Sequence, residues 1–198
     1  MTAPAAFWSV PSFRVLFHHR RSETTADVLT DGTPVARLAK AGPPISAQPF
    51  HLTVAGAPAG IIGGLIAYGP DGAPLGRVQS RGDGLGRRQW SVEQPGLDTL
   101  VAKAVGVSGL RYRWPQSIVL ASSPANTILP FAFHFKNAGS AGFTVRRRTG
   151  VRGEFEVDIH DERADRRVVL AAVLGLARDE SNDIRSEIAD ITGNPFRL

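Results

Sequence analysis

Val168-Val169-Leu170-Ala171-Ala172-Val173-Leu174-Gly175-Leu176-Ala177 is an unbroken apolar run. Alanine and leucine favour helix, and the three valines oppose it only weakly. Asp165-Arg166-Arg167 precedes the run and Arg178-Asp179-Glu180 follows it. An acidic residue before and a cation after suit the helix dipole, with Asp161 or Asp165 placed to cap. Ten residues rise about 15 Å, half of a bilayer core, so the run is not a transmembrane span. A helix lying on a sheet shows a polar residue every third or fourth position. This one shows none for nearly three turns, so it must be enclosed on all sides. Almost everything before it reads as strand. The expected fold is therefore mainly β, a closed antiparallel barrel around a central helix at about residues 164–179.

A repeated phrase supports the barrel. Asp31-Gly32-Thr33-Pro34-Val35-Ala36-Arg37-Leu38 returns forty residues later as Asp71-Gly72-Ala73-Pro74-Leu75-Gly76-Arg77-Val78. The same offset carries Phe50-x-Leu52 onto Trp90-x-Val92. A looser third copy runs from Asn137 through Gly142 to Val145 and on to Phe155-x-Val157. Each unit reads strand, tight turn, strand, loop, strand, a meander used several times. Within the strands, Phe131, Phe133 and Phe135 alternate with Ala132, His134 and Lys136. Phe155, Val157 and Ile159 alternate with Glu154, Glu156 and Asp158, and Leu110, Tyr112 and Trp114 with Arg111 and Arg113. Such alternation gives each strand one apolar face. The expected division is an N-terminal arm at 1–22, one barrel domain at 23–180 and a C-terminal tail at 181–198. The tail carries Ile184, Ile188 and Ile191 and is expected outside the barrel.

The 198-residue chain is 42% hydrophobic and has no cysteine. Disulfides, thiolate nucleophiles and cysteine-held metal are thereby excluded. No basic segment leads into an apolar leader at the N-terminus, which points to a bacterial-type cytoplasm. Net charge is +5 and the isoelectric point about 10.4, which invites an anionic partner. Lys40, Lys103 and Lys136 are the only lysines among 23 Lys and Arg. So strong an arginine skew is also what GC-rich codon usage produces.

Repeated meanders closing on an apolar C-terminal helix resemble the tubby C-terminal-like superfamily, which includes the phospholipid scramblases and the LURP-one-related proteins. The resemblance is sharpest at Phe155-Glu156-Val157-Asp158-Ile159 followed by Ala164-Asp165-Arg166-Arg167-Val168-Val169-Leu170-Ala171-Ala172. The Asp71–Val78 meander with Trp90 is also similar. The resemblance implies a tubby-like barrel and lipid-facing or regulatory binding. The proline-rich arm and acylated cysteines of animal scramblases have no counterpart here.

Candidate sites follow from charge. Gly82-Asp83-Gly84-Leu85-Gly86-Arg87-Arg88 offers backbone amides and guanidiniums to an anion. Arg81, Arg87 and Arg88 have only Asp83 as a nearby acid. The same stretch also reads as a plain hairpin loop. In Arg146-Arg147-Arg148, strand parity pairs Arg146 with Glu156 and Arg148 with Glu154, which leaves Arg147 at the barrel rim. Arg81, Arg87, Arg88 and Arg147 are thus the candidate headgroup ligands. Asp158, Asp161 and Asp165 are weak calcium candidates, as the resemblance to scramblases implies; capping and strand parity account for the same residues. Ala138-Gly139-Ser140-Ala141-Gly142 nearly spells a nucleophile elbow, but strand rather than helix follows it. His18-His19 sits among arginines, poor company for a metal. No acid–base pair or metal triad emerges, and no cofactor is implied.

The expected function is non-enzymatic binding, with anionic membrane phospholipids as the partner of a cytoplasmic protein peripheral at the membrane. The alternative is a protein-interaction scaffold in a bacterial regulatory or envelope-associated assembly, docking through Phe7, Trp8, Phe13 and Phe17 or through the tail. Nucleic acid is not an expected partner, since no basic recognition helix is present and the aromatic strands read as core.

Overall fold

A computed structural model describes residues 5–43, 46–82, 88–105, 132–147 and 153–193. The stretch Leu110–Trp114, read above as strand, lies outside the described residues. A short helix α1 (Ala5–Ser9) leads into β1 (Ser12–His19), β2 (Glu23–Thr30), β3 (Thr33–Ala41), β4 (Phe50–Val54), β5 (Ala57–Gly63) and β6 (Ile66–Tyr68). Then come β7 (Pro74–Gly82), β8 (Arg88–Gln94), β9 (Leu97–Ala104), β10 (Ala132–Lys136), β11 (Phe143–Arg147) and β12 (Glu154–Ile159). The helix α2 (Arg166–Gly193) closes the order. The twelve strands among the described residues form one closed barrel in which each pairs with the next of them in sequence, and β1 pairs with β12 to complete the ring.

The forty-residue repeat is visible in the strands. β3 and β7, β4 and β8, and β5 and β9 occupy corresponding places in two successive meanders. Asp31 and Gly32 join β2 to β3 with φ of 49° and 79°. Two successive positive φ angles make the mirror-image turn whose twist matches that of the strands, and glycine adopts it without strain. In the second copy Gly72 has φ of 81°, and the Ala73 amide donates to Asp71 Oδ1 at 3.1 Å.

The third meander supplies β10, β11 and β12, and β1 from the other end of the chain lies between β12 and β2. This corrects the expected N-terminal arm at residues 1–22. Ser12–His19 alternates as a strand, and Phe13 and Val15 are buried in the core. Without β1 the barrel would expose two unpaired edges, on β2 and β12. The helix α2 runs on through Gly193, into the residues expected as the tail.

The helix occupies the lumen. Six consecutive residues, Val168 to Val173, are each no more than 1% exposed, so every face of the helix is covered. Gly175 permits a close approach: a Cβ there would lie 2.8 Å from the Trp90 ring and 3.1 Å from Leu65. Inward-facing positions of the strands supply the rest of the core, among them Leu38, Leu52, Val92, Phe135 and Phe155. Outward positions carry charge, such as Arg77 hydrogen-bonded to Glu93 across β7 and β8. No helix among the described residues is long and apolar enough to cross a membrane.

An antiparallel ring has two ends. At the entry end, where α2 begins, lie the turns at Asp31-Gly32, Ala55-Gly56, Gly69–Ala73 and Asn137–Gly142, together with α1. At the exit end lie the β1–β2 turn, the β3–β4 connection, Gly64-Leu65, and the ends of β7, β9 and β11. The two ends differ in chemistry.

Candidate functional site

The entry end is sealed by its own polar groups. Asp165 caps α2, accepting the Arg167 amide at 2.8 Å and holding the Arg167 guanidinium through Nε at 2.9 Å and Nη2 at 2.6 Å. Arg167 also lies 4.9 Å from the Trp8 ring centre. Arg166 is 2% exposed and donates to the carbonyls of Ala164 (2.7 Å) and Val10 (3.1 Å). A buried guanidinium thus ties the N-terminal segment to the start of the helix. Gln94 spans the approach, donating to the Arg163 carbonyl and accepting the Asp165 amide.

The three calcium candidates do not converge on a cation. Asp158 is salt-bridged to Arg146 at 2.7 Å, and Asp161 to Arg163 at 2.7 Å. Asp165 is held by Arg167. No group of three His, Cys, Asp or Glu able to hold a metal occurs among the described residues. Ser140, read as a near-elbow serine, donates its hydroxyl to Asp161 Oδ2 and accepts the Gly142 amide at 3.1 Å. The Arg163 guanidinium and the Ser140 hydroxyl hold the Asp161 carboxyl well below the usual carboxylate range. A carboxyl depressed in the folded state stabilises above its unfolded value near 4 and loses that contribution as pH falls. Asp161→Asn is therefore expected to lower the urea midpoint at pH 7. Its deficit against wild type should shrink between about pH 5 and pH 2, as read by urea titrations across that range.

The exit end is basic. Three strands and the helix carry an apolar stripe that ends there in a basic side chain. On β1 the inward series is Phe13, Val15, Phe17, His19, and on β3 it is Ala36, Leu38, Lys40. On β11 it is Phe143, Val145, Arg147. On α2, Arg178 follows Leu174 by one turn. Lys40 is 5% exposed; its ammonium donates to the Ser46 carbonyl at 2.9 Å and lies 4.9 Å from the Phe50 ring centre. Burial, and then the positive charge of Arg178, push the Lys40 ammonium below its ordinary value. Burial also lowers His19, with smaller contributions from His18 and Lys40. Cations that disfavour one another's charge are an arrangement that an anion relieves.

These groups border a cavity of about 190 Å³ at the mouth of the lumen. Phe17, Phe50, Ile62, Leu65 and Leu174 form its apolar wall, and His19, Lys40 and Arg178 its basic side.

The sequence candidates meet this end unevenly. Arg81 is exposed near the end of β7. Arg88 opens β8 opposite Gly82, while Arg87 and Arg148 lie outside the described residues. Strand direction brings Arg81, Arg88 and Arg147 to the same end of the barrel, with β9 and β10 between β8 and β11. Arg147 is not a rim cation but 5% exposed, because its inward parity carries it into the barrel wall. Arg146 stands opposite Glu156 in register as expected, and its guanidinium reaches the diagonal Asp158. Glu154 is engaged by Arg14 of β1 at 3.2 Å. Of the aromatic docking candidates, Phe7 and Phe13 are core and Phe17 half-buried, while Trp8 is 38% exposed.

Lys40, His19 and Arg178 were missed in the sequence, though their signal is present there. Each extends an apolar stripe by one further repeat, two residues on a strand or four on a helix. Comparison with family models, curated proteins and solved structures gave no match to this chain.

Proposed function

We propose that this chain is a tubby-like, non-enzymatic binding protein whose exit end recognises anionic phospholipid headgroups at a membrane surface. The observation that carries the reading is the gathering of basic side chains at one end of the barrel, with His19, Lys40 and Arg178 around a cavity and Arg81 exposed near the end of β7 at that same end. Carboxylates stand toward both ends: Asp161 and Asp165 hold Arg163 and Arg167 at the entry end, and Glu154 holds Arg14 toward the exit end. Charge placed on one end of a rigid barrel orients that end toward an anionic leaflet, where each basic residue contributes about 1 kcal/mol. The resemblance of the Phe155–Ala172 segment to scramblase-like proteins supports the same class of ligand.

Liposome co-sedimentation tests the reading. Vesicles rich in phosphatidylglycerol or cardiolipin should bind the chain at physiological salt, and phosphatidylcholine vesicles should not. Arg81 and Arg178 are both exposed, so the double variant Arg81→Glu/Arg178→Glu leaves the core intact. It should weaken binding by at least about thirtyfold. Equal binding by wild type and double variant would sink the proposal.

A further inference from the structure

We infer that the exit-end cavity holds a single-chain anionic amphiphile, an acidic head on a saturated chain of about six to eight carbons. The inference rests on the reading of the exit end as an anion-binding face, and it assigns the kind of molecule that enters.

The wall chemistry selects the ligand. Phe17, Phe50, Ile62, Leu65 and Leu174 present hydrocarbon to the cavity, and a fully polar ligand would leave them wet. A sugar or nucleoside needs a set of hydrogen-bonding side chains along the wall. The wall hydroxyls of Thr24 and Ser46 instead donate to the carbonyls of Gly42 and Ala41. A metal ion would face Lys40 and Arg178. An acidic head meets them favourably, with His19 beside it, since hydrogen bonds between charged partners are about twice as strong as neutral ones.

Size sets the chain. A dry cavity of about 150 Å³ accommodates a six-carbon ring, and this one is about 190 Å³. That is room for one short chain or the first carbons of a longer one, and too little for two. The mouth carries the cations and the lumen the apolar wall, so the head lies outward and the chain inward against Leu174. The Ser46 segment over the cavity is held by its own bonds: the Ser46 carbonyl accepts from Lys40 and its hydroxyl donates to Ala41. Bonds of this kind fix part of the wall, which reduces the ordering cost of binding.

Carboxylate and phosphate monoester heads share the required chemistry, and calorimetry on the full chain separates them. Octanoate and octyl phosphate are titrated beside octanol, which lacks the charge, and inorganic phosphate, which lacks the chain. The acidic amphiphiles should bind at least ten times more tightly than either control. Affinity should rise about fourfold per methylene from butanoate to octanoate and then level off. Stronger binding of octyl phosphate would identify a phosphate monoester head of the lysophosphatidate type, and stronger binding of octanoate a fatty acid; either supports the site. Arg178→Glu changes only an exposed residue and should weaken the acids tenfold or more while leaving octanol unchanged. Lys40→Met keeps the apolar stem and should act the same way.

Octanol binding as tightly as octanoate, or no chain-length dependence, would overturn the inference. Vesicle binding by a chain that ignores both amphiphiles would overturn the cavity and leave the surface reading standing. Amphiphile binding without vesicle binding would do the reverse.

Discussion

Deleting residues 1–19 should abolish the folded state rather than trim an appendage. The deletion removes β1, which lies between β12 and β2 and closes the ring. It strips Phe7, Phe13 and Val15 from the core, all no more than 3% exposed. Loss of one large buried aromatic costs about 3–5 kcal/mol, against a total stability of about 5–15 kcal/mol for a domain. Two aromatic residues and an entire hydrogen-bonded strand exceed that margin. The deletion also takes the Val10 carbonyl from the buried Arg166 guanidinium, which leaves a desolvated cation short of an acceptor. Circular dichroism and amide proton dispersion should show an unfolded or aggregated chain. Trp8→Ala is the control, since Trp8 is partly exposed and sits on Arg167. It should fold with a loss of about 1 kcal/mol or less in urea denaturation. A monomeric deletion with native dispersion would refute the place of β1 in the barrel. For the same reason, a partner lost with residues 1–22 would not identify a docking arm, because the fold would be lost as well.

The second large effect lies in the helix. Ala171→Asp, Ala172→Asp and Val173→Asp place a carboxylate on three successive faces of α2, each 0% exposed in the wild type. Consecutive helical positions are about 100° apart, so the three variants sample most of the helix circumference. A helix resting on a sheet would accept at least one of them on its solvent side. A helix inside a barrel accepts none. Each variant should cost more than about 4 kcal/mol, from an unpaired buried charge added to crowding in a filled core. Each should be unfolded, or held together only with its carboxyl protonated and recovering stability as pH falls. Thermal melts and urea titrations of the three, compared with one another, decide the matter. One variant melting within a few degrees of wild type would show an open face.

Much of this architecture was readable in advance because it depends on local periodicity. An apolar run with no polar position can only be enclosed, and a closed sheet is what the surrounding alternation supplies. The forty-residue offset between Asp31-Gly32 and Asp71-Gly72 is a property of turn chemistry and strand length. Both are encoded within a few residues of where they act. Strand parity puts Phe143, Val145 and Arg147 on one face, but the rim position expected for Arg147 did not follow from it: that face turns into the barrel wall and buries the residue.

The partner of β1 was not legible. Pairing of β1 with β12 joins residues more than a hundred positions apart, and nothing in Ser12–His19 specifies which edge it meets. The fates of the acidic residues were equally non-local. Asp158 takes Arg146 from the adjacent strand rather than standing open for a cation, and Glu154 takes Arg14 from the other end of the chain. Arg166 reads as a flanking charge, yet it is buried because α1 and Val10 fold over the helix start.

By itself, then, the sequence determined a helix that must be buried, meanders that repeat, and which face of each strand is apolar. These follow from periods of two and 3.6 residues and from turn residues that act on their neighbours. The tertiary structure alone decided that β1 closes the ring, and that His19, Lys40 and Arg178 come from two strands and a helix to one cavity. The alternating directions of the antiparallel ring decide which stripe ends meet, and they emerge only when the last strand finds the first.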